Sequence, residues 1–186
     1  TDAIDKIPLV DALGRVYSPD GNLPSAEIRG AGLKTSPRLA PLSLPDAQLA
    51  LRFTWQESET TDPFTGETRK LRSDFGNNYE IGYRQDLTGI GFSYGFTYTK
   101  VGAATILSDL MVREYFRVGP VATAFVEKKL GGNLALRVEA QNLTGSHEDK
   151  TRYLYAVNVI DGALRRYEHW DETRDLRVAV RLRGRF

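Results

Sequence analysis

The 186-residue chain has no cysteine, which excludes disulfides, thiolate catalysis and cysteine–zinc sites. It has two histidines, His147 and His169, and neither has a second ligand at the spacing that a metal centre needs. Net charge is nearly absent, with 25 basic against 24 acidic residues, so no overall field points to nucleic acid or to an anionic surface. There is no run of about 18 apolar residues, and so no membrane-spanning helix; mean hydropathy is −0.37. A membrane β-barrel is not excluded in this way, because its strands dilute apolar residues with polar ones at every second position. Enzyme signatures are missing too, with no Walker loop, no G-x-G-x-x-G and no Ser/His/Asp grouping; "GIGFSYG" (89–95) reads as a strand with glycines on its polar face. No cofactor is therefore expected. The chain opens on Thr1, without an initiator Met or the basic and apolar regions of a signal peptide, and is read as a piece of something longer.

What is present is alternation. At the end of the chain Leu176, Val178, Val180, Leu182, Gly184 and Phe186 alternate with Arg177, Ala179, Arg181, Arg183 and Arg185. Upstream, Ile90, Phe92, Tyr94, Phe96 and Tyr98 alternate with Gly91, Ser93, Gly95, Thr97 and Thr99. The same pattern runs through 48–56, 79–84, 134–141 and 152–159. A period of two places each set on its own face of a strand, and no segment sustains a helical period. Turn signals at 86–89 ("DLTG") and 131–133 ("GGN") suit tight hairpins. Longer polar connections fall at 60–68 and 161–175, and a long loop at 11–25. The proline-bearing stretch 38–47 is no central strand. About ten strands are expected, in an all-β, antiparallel, up-and-down arrangement.

Period two alone does not separate a soluble sandwich from a membrane barrel. Three features favour the barrel. Several strands run to nine or more residues, enough to cross a bilayer at a tilt. Aromatic residues (Trp55, Tyr79, Tyr83, Tyr94, Tyr98, Tyr153, Tyr155) concentrate on the apolar faces, as interfacial girdles require. Short and long connections alternate toward the C-terminal end. Leu176, Val178, Val180, Leu182 and the terminal Phe186 together resemble the insertion signal that outer-membrane assembly machinery recognises. The opposite faces carry Arg52, Glu80, Arg84, Arg137, Glu139, Arg177, Arg181 and Arg183, expected to look into a lumen.

Specific motifs go further. "LALRVEAQNLTG" (134–145) resembles the segment before the last strands of TonB-dependent outer-membrane receptors. Asn142-Leu143 matches the Asn-Leu core of that segment, with Thr-Gly standing where the family carries Phe-Asp. "FTWQESETTDPFTGETRKL" (53–71), "YRQDLTGIGFSYGFTYT" (83–99) and "FVEKKLGGNLALRVEAQNL" (125–143) continue the similarity. The resemblance covers roughly 25–186.

It implies that residues 1–186 are the C-terminal portion of a barrel of about 22 strands, with the plug and the first strands lying outside the sequence. It implies ligand-gated import of a scarce nutrient, such as an iron–siderophore chelate, across the bacterial outer membrane. The protein would then be no enzyme. Its partners would be TonB (through the plug), lipid and lipopolysaccharide, the barrel-assembly machinery and a small-molecule ligand, with no nucleic acid. Ligand-recognition loops are expected at 11–25, 60–74, 102–108 and 161–174, with Asp62, Glu67, His169, Trp170 and Asp171 as candidates. In that orientation 144–150 is a periplasmic turn, "GGN" and "TTDPFTGET" lie outside and "DLTG" lies inside. Two other readings stay open: a self-standing ten-stranded barrel enzyme using His169, and a soluble β-barrel or sandwich that binds a ligand.

Overall fold

The computed structural model describes residues 3–184 except 73, 132 and 161, with the backbone alone at 105–107. The Phe186 expected to end the insertion signal lies outside the described residues. Strand takes up 63% of the chain and helix 3%, so the all-β, antiparallel expectation holds.

The strands are β1 (Ile4–Lys6), β2 (Leu9–Val10), β3 (Val16–Tyr17), β4 (Asp20–Asn22), β5 (Ala26–Thr35), β6 (Ala47–Thr61), β7 (Thr68–Arg69) and β8 (Asn78–Leu87). After these come β9 (Phe92–Lys100), β10 (Ala104–Ser108), β11 (Val112–Val118), β12 (Val121–Gly131), β13 (Leu134–Gln141), β14 (His147–Tyr155), β15 (Leu164–Thr173) and β16 (Arg177–Arg183). Two 3-10 turns, Ala40–Leu42 and Thr88–Ile90, complete the elements. The large sheet runs in the order β16-β13-β12-β9-β8-β6-β5, with β7 on β6, and the second runs β10-β11-β14-β15.

The two orders share one connectivity. β9 continues into β10, β11 into β12, β13 into β14 and β15 into β16, each across a bend. The chain is thus a meander of long ribbons, the last four of which pass from the large sheet into the second. The expected ten strands become seven such ribbons (β5, β6, β8 and the four bent ones) plus short strands near the N-terminus. The sheet is open: among the described residues β5 and β16 are its edges and do not pair with each other.

The bends have local causes. Between β11 and β12 stand Gly119 and Pro120, and Pro has no amide to offer a ladder. Between β13 and β14, Asn142 adopts φ 58° and Gly145 φ 61°, the left-handed region that Asn and Gly tolerate best. The Asn142 carboxamide oxygen accepts from the Ser146 amide at 2.8 Å, and its Nδ2 donates to the Arg174 carbonyl. The Ser146 hydroxyl donates to the Gly119 carbonyl at 2.8 Å. One Asn and one Ser therefore close polar groups across three neighbouring ribbons.

This corrects the expected turn at 144–150. The segment bends without reversing, so one predicted reversal disappears and the ends shift: "GGN" lies at the same end of the meander as "DLTG" and the last residues of β16. "TTDPFTGET" lies at the opposite end, with residues 109–111 and 156–160. The expected loops at 161–174 and 102–108 are largely strand, β15 and β10.

The faces of the large sheet separate sharply. Leu49–Tyr83–Phe96–Ala124–Ala140–Val178 form one continuous cross-strand row, and Tyr94–Val126–Val138–Val180 another. Among the described residues no second layer covers this apolar face: Leu33, Phe53, Phe96, Val126, Leu176, Val178, Val180 and Leu182 are all exposed, Val180 to 67%. Among the described residues the buried apolar set is Leu23, Ala47, Phe64, Leu71 and Ala104, far too little to form the core of a two-layer sandwich.

Candidate functional site

The opposite face of the large sheet collects the predicted charges. Arg52 is in register with Glu80, Arg137 with Arg181, Gln141 with Arg177 and Ala135 with Arg183. Arg84 and Glu139 belong to the same register set, so all eight predicted residues share one face. They do not contribute equally. Arg137 is the hub: it donates to Glu139 at 2.8 Å and lies 3.8 Å from Glu127. Its guanidinium stacks 3.7 Å above the Phe125 ring, with Arg84 5.5 Å from the same centroid.

Phe125 sits on this polar face because β9 makes room for it. Opposite it stands Gly95, where a Cβ would come within 2.7 Å of the Phe125 ring and 2.4 Å of the Tyr83 carbonyl oxygen. The ring lies flat over the glycine and forms a platform for two cations, an arrangement that contributes about 0.5–1 kcal/mol per contact where exposed and more where dry. Sequence reasoning grouped the arginines but missed Phe125, whose signal was an aromatic residue out of phase with its strand.

Glu139, 7% exposed, also accepts from Gln141 at 2.7 Å and lies 3.6 Å from Arg181; it holds the like-charged Arg137 and Arg181 side by side. Arg84 donates to Asp86 at 2.8 Å, which also accepts from the Ser93 hydroxyl at 2.6 Å. Among the described residues Arg52, Arg177 and Arg183 have no carboxylate within 4.0 Å. With Lys34, in register with Arg52, and Lys129, in register with Ala135, they are the cations of this face, among the described residues, free to meet an anion or a docked acidic surface.

The second sheet is polar on both faces. On one, Glu114, 4% exposed, is held by Lys150 at 2.9 Å and Arg152 at 2.5 Å. Arg152 reaches Glu168 at 3.4 Å, and the cations of Lys150 and Arg152 lie 5.7 and 5.1 Å from the Trp170 ring. On the other face Tyr115, Tyr153, Tyr167 and His169 form a chain of rings with centroid spacings of 6.1, 5.4 and 6.5 Å. His169, Trp170 and Asp171 are therefore strand residues of β15 rather than loop residues. Trp170 is on one face and its two neighbours on the other. Alternation also separates Glu168 and Glu172 from Asp171, and among the described residues no group of acids and histidines is arranged to hold a metal.

The two remaining candidates occupy the connection between β6 and β8. Asp62, 1% exposed, accepts from the Phe64 and Thr65 amides at 2.9 and 3.1 Å, from the Ser108 hydroxyl at 2.9 Å and from Arg69 at 2.6 Å. Burial pushes its carboxyl up, but the Phe64 amide, Arg69 and Ser108 together outweigh that and hold it below the usual carboxylate range. Asp62 is thus fully engaged in shaping the loop and offers no free oxygen face to a ligand. Arg69 also donates to Asp5 at 3.0 Å, itself completely buried, and Arg72 lies 3.4 Å from Asp20. Residues 3–22 are pinned to this loop by those pairs. Glu67 remains on the rim, 3.4 Å from Arg113.

No family model, no curated protein and no solved structure matches this chain.

Proposed function

We propose that the chain is the C-terminal barrel portion of a TonB-dependent receptor that imports a scarce nutrient, most simply an iron chelate, across the bacterial outer membrane. The observation that carries this reading is the uncovered apolar face. It is bounded along the strands by Lys128, level with Phe92, and Lys100, level with Tyr79. From residue 92 to residue 100 the strand rises about 27 Å, or about 21 Å of height at a tilt near 40°, close to the apolar band of about 25 Å on outer-membrane barrels. A sheet in water would not leave such an area open. In hydrocarbon it is the stable arrangement, provided that both edges pair.

Other features support the same reading. The second sheet, beyond the Lys100 boundary, has no apolar face, as expected of strands that rise out of a membrane into water. The open edges β5 and β16 would pair with strands outside this sequence, and the charged face, with its surplus of arginine, would line the lumen around a plug. The resemblance of the motifs at 53–71, 83–99 and 125–143 to that family supports the same reading. In this role the chain does no covalent chemistry: it forms the wall and part of the outer vestibule, while TonB acts through the plug.

Residues 1–186 are free of cysteine, so accessibility tests the reading cleanly once any cysteine outside them is replaced. In the full-length protein in whole cells, Val157→Cys is expected to react with a membrane-impermeant maleimide, and Gly89→Cys only after the outer membrane is opened. Deletion of the protein or of TonB is expected to abolish growth on its ferric chelate under iron limitation. Equal labelling of both sites in a protein recovered without detergent would overturn the proposal in favour of a soluble binder.

A further inference from the structure

Where the large sheet gives way to the second, a cavity of about 740 Å³ opens, lined by Trp55, Tyr79, Lys70, Lys100, Arg117 and His147 among others. Of the residues that the large sheet contributes, Trp55, Glu57, Tyr79 and Lys100 belong to the apolar register and Gln56 to the other: Tyr79 pairs with both Phe53 and Lys100, and Trp55 with Ala31. The cavity therefore lies on the greasy side, at its upper boundary, rather than on the arginine-rich side. Its charge is unbalanced. Lys70, Lys100 and Arg117 line it with one carboxylate, Glu57. Arg117 is 3.7 Å from Asp149, whereas neither lysine has a carboxylate within 4.0 Å among the described residues.

Unpaired ammonium groups beside a Trp and a Tyr at the edge of an apolar wall combine two preferences. Amphipathic rings favour the level of lipid headgroups, and cations there attract phosphate. We infer that this cavity is a binding site for the phosphate-bearing headgroup of a lipid whose acyl chains lie along Phe53 and Leu33 below it. The lysines supply point charges to the phosphate oxygens, and Trp55 and Tyr79 pack against the glycerol or sugar moiety next to them. The size suits a whole headgroup rather than a single bare ion. The inference rests on the membrane reading and deepens it: the surface would select anionic lipid at one rim.

The test uses the full-length protein purified in detergent and incorporated into phosphatidylcholine nanodiscs with or without phosphatidic acid, with bound lipid counted by native mass spectrometry. Wild type is expected to retain phosphatidic acid, and Lys70→Glu/Lys100→Glu to retain at least tenfold less. Lys70→Gln/Lys100→Gln, which keeps side-chain length, is expected to fall between them and covers the case in which charge reversal prevents folding. Lys128→Glu, at the opposite boundary, is expected to leave retention unchanged. Equal retention by wild type and the glutamine variant would overturn the inference while leaving the membrane reading intact. Complete competition by free inorganic phosphate would overturn it in favour of a soluble-anion site. A protein that never enters the nanodisc would remove both.

Discussion

Val178→Arg separates a lipid-facing sheet from a water-facing one by a measurable margin. Val178 lies in the row of Phe96, Ala124 and Ala140, four residues along the strand from the level of Lys128 and four from that of Lys100, or about 14 Å from either boundary. It is 63% exposed and touches no second layer. In water an arginine there would be nearly neutral, within about 0.5 kcal/mol, as at most exposed positions. At the middle of a bilayer the same change costs about 2–4 kcal/mol, a factor of about 30 to 700 in the folding equilibrium. The assay is urea unfolding of the full-length protein in lipid vesicles, followed by the shift of the folded band on unheated gels. Thr97→Arg, at almost the same depth on the opposite face, is the control and is expected to change stability by less than about 0.5 kcal/mol. Equal, small costs for the two variants would refute the assignment of faces.

Three further outcomes follow from the loop and the bend. Arg69→Ala leaves the buried Asp62 without its cation and the buried Asp5 with Arg72 alone, 3.7 Å away, and is expected to cost about 3–5 kcal/mol locally, seen as rapid proteolysis within residues 3–22 and 62–72 while the large sheet stays protected. Asp62 has a folded-state pKa below its unfolded value, so its contribution to docking of this loop is fully present above about pH 4 and fades as pH falls through the lower folded value. Hydrogen-exchange protection factors at 62–70, corrected for the intrinsic rate at each pH, are expected to fall in acid and to stay level between pH 5 and 8. Asn142→Ala loses both the tolerance for φ 58° and the acceptor for Ser146, for a loss of about 2 kcal/mol or more in thermal unfolding; Asn142→Gly recovers the backbone part alone.

The division of faces was legible because period two survives wherever one side is greasy and the other wet. Phe92 to Tyr98 and Leu176 to Leu182 state it without interruption. The strand β15 was not legible for the same reason reversed: "LRRYEHWDET" is wet on both sides, so no alternation marks it and the charges resemble a loop. The bends at Gly119–Pro120 and Asn142–Ser146 carry turn residues, and composition does not tell a turn that reverses the chain from one that redirects it; only the pairing of β11 with β14 decides. Of the candidate residues, the arginines of β13 and β16 could be grouped because alternation places them. The clamp of Arg69 on Asp5 spans 64 positions and leaves no local trace. The platform under Arg137 was visible only as an anomaly, a phenylalanine in a polar phase opposite a glycine.

The central claim is that the face bearing Phe92, Tyr94, Phe96 and Tyr98 meets hydrocarbon and the face bearing Ser93, Gly95, Thr97 and Thr99 does not. Spin labels placed one at a time at residues 92–99 of the full-length protein in lipid, read for collisions with oxygen and with a water-soluble nickel complex, test it directly. Oxygen accessibility is predicted to peak at the even positions, and nickel accessibility to stay low there throughout. Even positions that collide with nickel as freely as an unstructured surface would contradict the account.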